Sequence, residues 1–132
     1  MQKLQFESAW DKTVSKKHRK IIEDAFASTE FLLDDSIQVT SLWQALNHKG
    51  NLLVTTLVHN TTQQSFSFQN TKLRYVEDNL VIAEHTFTIP AFVVEPKTSI
   101  PWTFIFPKES LVSSTTFQDG DIEIVKEEKS SD

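Results

Sequence analysis

The residues that could carry out a reaction are few and scattered along the chain. None of the four histidines, His18, His48, His59 and His85, lies three to five residues from another, so no local metal clip exists. There is no cysteine, which removes disulfides, thiol nucleophiles and cysteine-ligated zinc or iron–sulfur sites. Glycine occurs only at Gly50 and Gly120, which excludes a dinucleotide fingerprint, a Walker loop and a G-x-S-x-G elbow. His85 shares a side with Val81 and Phe87 and reads as a strand residue that packs and hydrogen-bonds. His59, beside Asn60, reads as turn chemistry at a strand end. A Ser/His/Asp triad can be assembled on paper, as in most chains, without specificity. Asp119-Gly120-Asp121-Ile122-Glu123 alternates carboxylates loosely like a calcium loop but lacks the Asp-x-Asp-x-Asp-Gly order and the distant bidentate Glu. It reads as a hairpin turn with a solvated acidic face, and Asp34-Asp35 as a loop. The expectation is a protein that is not an enzyme and has no catalytic, metal or cofactor residues.

Binding chemistry is better represented. Lys16-Lys17-His18-Arg19-Lys20 is a compact basic run in a chain of net charge −5, an acidity that argues against a general nucleic-acid binder. The charge is bipolar. Residues 1–20 hold six Lys or Arg against two acids, and residues 118–132 hold six acids against two Lys. Two explanations fit: solvated ends that attract each other, or a basic helix offered to an acidic partner. The second makes Lys16, Lys17, Arg19 and Lys20 the candidate partner-binding residues, and the partner a protein. Trp102, Phe104 and Phe106 raise a further option, because aromatic platforms bind carbohydrate. Left exposed, they would form an apolar patch of several hundred Å². Buried, each contributes roughly 1.5–3 kcal/mol, a large part of a domain's typical stability of about 5–15 kcal/mol. The energy favours core.

These residues must be positioned by a helix and a set of strands. Val14, His18, Ile21, Ile22, Ala25 and Phe26 recur at helical spacing and predict an amphipathic helix over 14–29. Asp11, Thr13 and Ser15 are candidate N-caps. Lys16 and Lys17 fall in the first turn, where the helix dipole disfavours cations by a few tenths of a kcal/mol each. Arg19–Glu23 and Lys20–Asp24 are spaced to offset this. Such local inconsistencies are enriched at functional surfaces.

From residue 36 onward the pattern is β. Ser36–Asn47 places Ile37, Val39 and Trp43 on one side and Leu42 and Leu46 on the other. A tight connection, in which Gly50 takes positive φ, leads to Leu52–His59. Ser65–Phe68 and Thr71–Val76 form an interrupted third strand, and Glu77-Asp78-Asn79 turns into Leu80–Ile89. Phe92–Val94 is a short segment ended by a turn with Pro96 at its first corner. From Thr98 to Phe106 alternation is unbroken, and Pro101, which cannot donate to a ladder, requires an edge or a bulge there. Thr115–Val125, with Gly120 at a turn, offers a last strand. Trp10 stands outside any periodic segment and reads as an anchor of the N-terminal arm.

Six or seven short strands with turns about every ten residues predict a mainly β fold. The expected architecture is an immunoglobulin-like antiparallel β-sandwich with one N-terminal amphipathic helix. A chain of 132 residues suits one domain. Residues 1–125 are assigned to it, with the arm and helix over 1–30 and the sandwich over 36–125, and 126–132 reads as a disordered acidic tail. The start lacks an apolar signal-peptide core and no apolar run is long enough to cross a membrane, so no membrane insertion is expected and a cytoplasmic location is.

Four segments resemble a known family. They are Trp10-Asp11-Lys12-Thr13 before a basic helix, Gly50-Asn51-Leu52-Leu53-Val54-Thr55, Ile82-Ala83-Glu84-His85-Thr86-Phe87, and Pro101-Trp102-Thr103-Phe104-Ile105-Phe106-Pro107-Lys108-Glu109-Ser110-Leu111. Together they are similar to the SLAP domain, named for the S-layer assembly protein of bacilli and their relatives, over roughly residues 8–125. The resemblance implies a non-enzymatic accessory factor in protein secretion or cell-envelope assembly, with a Sec-type export component among its partners. It carries no catalytic residues. A carbohydrate- or peptide-binding β-sandwich module is the alternative, and it requires an exposed tryptophan.

Overall fold

Alternating apolar residues produce two sheets that bury their apolar faces against each other. The computed structural model describes residues 2–29, 36–115 and 120–125. In chain order the elements are β1 (Lys3–Leu4), α1 (Ser8–Thr13), α2 (Lys16–Ser28), β2 (Ile37–Leu46), β3 (Leu52–Asn60), β4 (Phe66–Glu77), β5 (Leu80–Val94), β6 (Thr98–Phe106), a 3-10 turn at Lys108–Ser110, and β7 (Gly120–Val125). One sheet has the order β1-β6-β3-β2 and the other β5-β4-β7. This is the mainly β, two-sheet fold with an N-terminal helix that the alternation predicts. The residues Asp34, Asp35 and Asp119 and the tail over 126–132 lie outside the described residues.

The core lies between the sheets and is dominated by aromatics. Phe104 meets Phe68 at 5.2 Å and 76°, and Phe87 at 5.2 Å and 67°, the edge-to-face geometry that ring quadrupoles favour. Phe87 continues the chain of rings to Phe106, and Phe92 stacks on Trp102 at 4.1 Å. Phe104 and Phe106 are therefore core, as the energy comparison predicts, while Trp102 is half-buried at its margin.

Three local irregularities change which face a residue occupies. In β2 the register slips between Ser41 and Trp43, so Leu42 is a bulge residue. Ile37 and Val39 pack on the core, but Trp43 pairs with Thr55 and turns to the opposite face. The strict alternation that grouped Trp43 with Ile37 and Val39 is thereby corrected. The interrupted third strand is one strand, β4, with its irregularity at Asn70, whose φ is +49°. Leu80–Ile89 and Phe92–Val94 are likewise one strand, β5. Its register to β4 jumps across Pro90, Ala91 and Phe92, where proline has no N–H to give the ladder.

One pair departs from the expected antiparallel arrangement. β1 runs parallel to β6, with Lys3 opposite Thr98 and Leu4 opposite Ser99. A parallel pair needs a long connection, and here nearly the whole domain supplies it. Lys3 N–H donates to the Lys97 carbonyl at 3.0 Å and Gln5 N–H to the Ser99 carbonyl at 2.9 Å. Backbone groups repeat their direction every two residues, so Pro101 turns its missing donor to this same side, just beyond the end of β1. Pairing with β3 passes through Pro101 without a register slip. Of the two options for Pro101, the structure takes the edge.

Gly120 proves to be the first residue of β7, paired with Glu77, and not a turn glycine. A Cβ built there would run into the phenol of fully buried Tyr75. The Tyr75 hydroxyl donates to Glu77 Oε2 at 2.8 Å, and Thr115 Oγ1 donates to the same oxygen at 2.6 Å. Gly120→Ala is expected to displace the phenol and cost roughly 1–3 kcal/mol. Urea denaturation checks this, and a variant as stable as the parent contradicts it.

Candidate functional site

The two outer faces of the sandwich differ. On the three-stranded sheet, Arg74 reaches Glu84 at 2.8 Å and Glu123 at 3.9 Å, and Lys72 reaches Glu84 at 3.5 Å. The Arg74 hydrogen bond holds the Glu84 carboxyl below its usual range. This is a solvated charge ladder. On the four-stranded sheet, the N-terminal arm and α2 cover the outer face, where Ile22 and Leu57 are both fully buried.

Two short helices build this cover. α1 was not anticipated. It holds Trp10 and ends at Thr13, and Val14 N–H bonds the Trp10 carbonyl at 2.8 Å. Of the three candidate caps for α2, Ser15 is the one used: its side chain accepts from His18 N–H at 3.1 Å. Between the helices and the sheet lies an open groove of about 560 Å³. Trp10 comes from α1, Trp43 from β2 after its bulge, and Trp102 from the edge of β6, so all three tryptophans of the chain line it. His18 stacks on Trp43 with ring centroids 4.4 Å apart and planes 23° from parallel. Thr55 and Thr103 share a hydrogen bond of 2.9 Å across β3 and β6 at the floor.

The basic residues have separate fates. Lys16 and Lys17 are exposed in the first turn of α2, between Ser15 and His18, which both line the groove. No acidic residue accompanies them in that turn. Lys20 is exposed and pairs loosely with Asp24 at 3.4 Å. Arg19 is half-buried and turns back to Asp11, bonding its side chain at 2.7 Å and its carbonyl at 3.1 Å, instead of pairing along the helix with Glu23. Its guanidinium also lies 4.5 Å over the Phe6 ring. Arg19 braces the arm against α2. The structure thus places Lys16 and Lys17 beside residues that line the groove, adds exposed Lys12 at the end of α1, and gives Arg19 to the fold.

His59 and His85 lie in different surroundings. His59 is not at a loose turn but fully buried and paired with Ser99 across β3 and β6. Its Nδ1 lies 2.7 Å from Ser99 Oγ and its Nε2 3.0 Å from Thr40 Oγ1. Ser99 Oγ also accepts from Gln2 Nε2 at 3.2 Å. The contacts resemble a nucleophile–base pair, yet Ser99 is fully buried too and the third partner is a hydroxyl, not a carboxylate. Burial lowers the His59 pKa to about 4. His85 lines a second groove, of about 450 Å³ between β5 and β6, and packs edge-on against Phe87. Among the described residues no group of three or more His, Asp or Glu is placed to hold a metal ion. No helix among them is long and apolar enough to cross a membrane.

Sequence reasoning missed the groove because its tryptophans stand far apart in the chain. Two signals pointed to it: Trp10 outside any periodic segment, and two cations at the wrong end of a helix. No curated protein and no solved structure matches the chain. A family model described as the SLAP domain matches residues 4–125, a span that takes in the arm, both helices and both sheets. The chain therefore belongs to the SLAP domain family.

Proposed function

We propose that this chain is a non-catalytic protein-interaction domain, acting in the cytoplasm as an accessory factor in protein secretion or cell-envelope and S-layer assembly. The observation that carries the binding role is the convergence of all three tryptophans on one open groove beside the exposed cations of α2. Tryptophan is among the residues most often found as anchors of protein interfaces. Keeping Lys16 and Lys17 at the positive end of a helix costs a few tenths of a kcal/mol each, a cost that a partner-binding role accounts for. The secretion and envelope context rests on family membership.

The test is charge reversal. Lys16→Glu, Lys17→Glu and Lys20→Glu together alter exposed side chains and leave the Arg19 brace intact. The reversed protein is expected to lose a partner that the parent captures from native lysate at low salt, and the parent's capture is expected to fade as salt rises. An unchanged set of partners after reversal contradicts the assignment of this surface.

A further inference from the structure

We infer that the groove takes an acidic peptide segment bearing an aromatic or large aliphatic side chain. This rests on the protein-binding reading above and names what is bound.

Charge complementarity sets the first half. The helix-to-helix turn carries Lys12, Lys16 and Lys17, all exposed, against Glu7 on the groove wall, while Asp11 is engaged by Arg19. The local balance is positive in a chain whose net charge is −5. A cationic rim on an acidic protein steers acidic segments to this site.

Ring geometry sets the second half and argues against sugar. A carbohydrate platform needs an open indole face. One face of Trp43 is covered by His18, and Trp102 is stacked on Phe92. The Thr55 and Thr103 hydroxyls are bonded to each other. An open groove lined by Trp10 and Trp43 suits an inserted apolar side chain. The segment would place that side chain against Trp43 and its carboxylates over Lys16 and Lys17.

The experiment is a fluorescence titration of the full chain with synthetic octapeptides, read from the groove's own tryptophans. The first probe is Asp-Glu-Asp-Phe-Leu-Asp-Glu-Asp. The second replaces each acid by Lys, the third replaces Phe and Leu by Ser, and the fourth probe is an N-acetylglucosamine hexamer. The first peptide is expected to bind at low salt and to weaken roughly tenfold in 0.5 M salt. The second and third are expected to bind at least about tenfold more weakly. Trp43→Ala should reduce binding of the first peptide by a similar factor. Lys16→Glu with Lys17→Glu should do the same without touching a packed side chain. The inference is overturned if the lysine peptide or the serine peptide binds as well as the first, if the hexamer binds in their place, or if no peptide binds. If charge reversal still removes a salt-sensitive protein partner while the peptide fails, the occupant is wrong and the protein-binding reading stands.

Discussion

Phe104→Ala is expected to cost about 3–5 kcal/mol of folding stability, because truncating a large buried side chain loses its transfer energy and leaves a cavity. Phe104 is the junction of the core. It pairs edge-on with Phe68 of β4 and with Phe87 of β5, so it joins the two sheets at their centre. Its sequence neighbour Ile105 faces outward and is 52% exposed. Ile105→Ala should therefore change stability by about 0.5 kcal/mol or less. Urea denaturation of the two variants separates core from surface on adjacent residues of one strand. Equal losses contradict the face assignment of β6, and with it the reading of the aromatic run as scaffold.

Acidification should weaken the fold through His59. Its pKa is lowered from 6.5 to about 4 because the ring is buried. The unfolded chain binds a proton in the window between these values and the folded chain does not, so stability is full above pH 6.5 and falls as pH drops toward 4. At about 1.4 kcal/mol per pKa unit, the loss approaches 3 kcal/mol at the bottom of the window. His59 also joins β2, β3 and β6 through Thr40 and Ser99, and Ser99 in turn holds Gln2 of the N-terminal arm. Protonation puts donors on both ring nitrogens, where the neutral ring needs one donor and one acceptor. Denaturation curves from pH 7 to 4 for the parent and for His59→Gln check this. The variant should start less stable and lose less on acidification. Parallel pH profiles would place the acid sensitivity elsewhere.

Strand alternation was legible, and so were the turns at Gly50 and at Asp78-Asn79. The structure gives Gly50 a φ of +85° and the two turn residues positive φ as well, matching a two-residue hairpin turn. What alternation could not show was where it resets. A single bulge at Leu42 sends Trp43 to the outer face, and without that reversal the groove has no Trp43. Composition does not encode a bulge, because its cost and its benefit are both tertiary. The same limit hid β1, whose two residues gain strand geometry only by meeting the edge of β6. Arg19 was legible as a charge but not as a brace, since Asp11 and Phe6 reach it only after the arm folds back. The parts of the site that the sequence displayed were Trp10, outside any periodic segment, and the cations at Lys16 and Lys17, in local conflict with the helix dipole.

Three tryptophans distant in the chain line one open groove beside exposed cations. Quenching of native tryptophan emission by acrylamide, iodide and caesium tests it without knowledge of any partner. Measurable quenching by acrylamide is expected, with stronger quenching by iodide than by caesium, and a smaller gap between the two ions after Lys16→Glu with Lys17→Glu. Full protection from acrylamide, or caesium quenching as strongly as iodide in the parent, contradicts it.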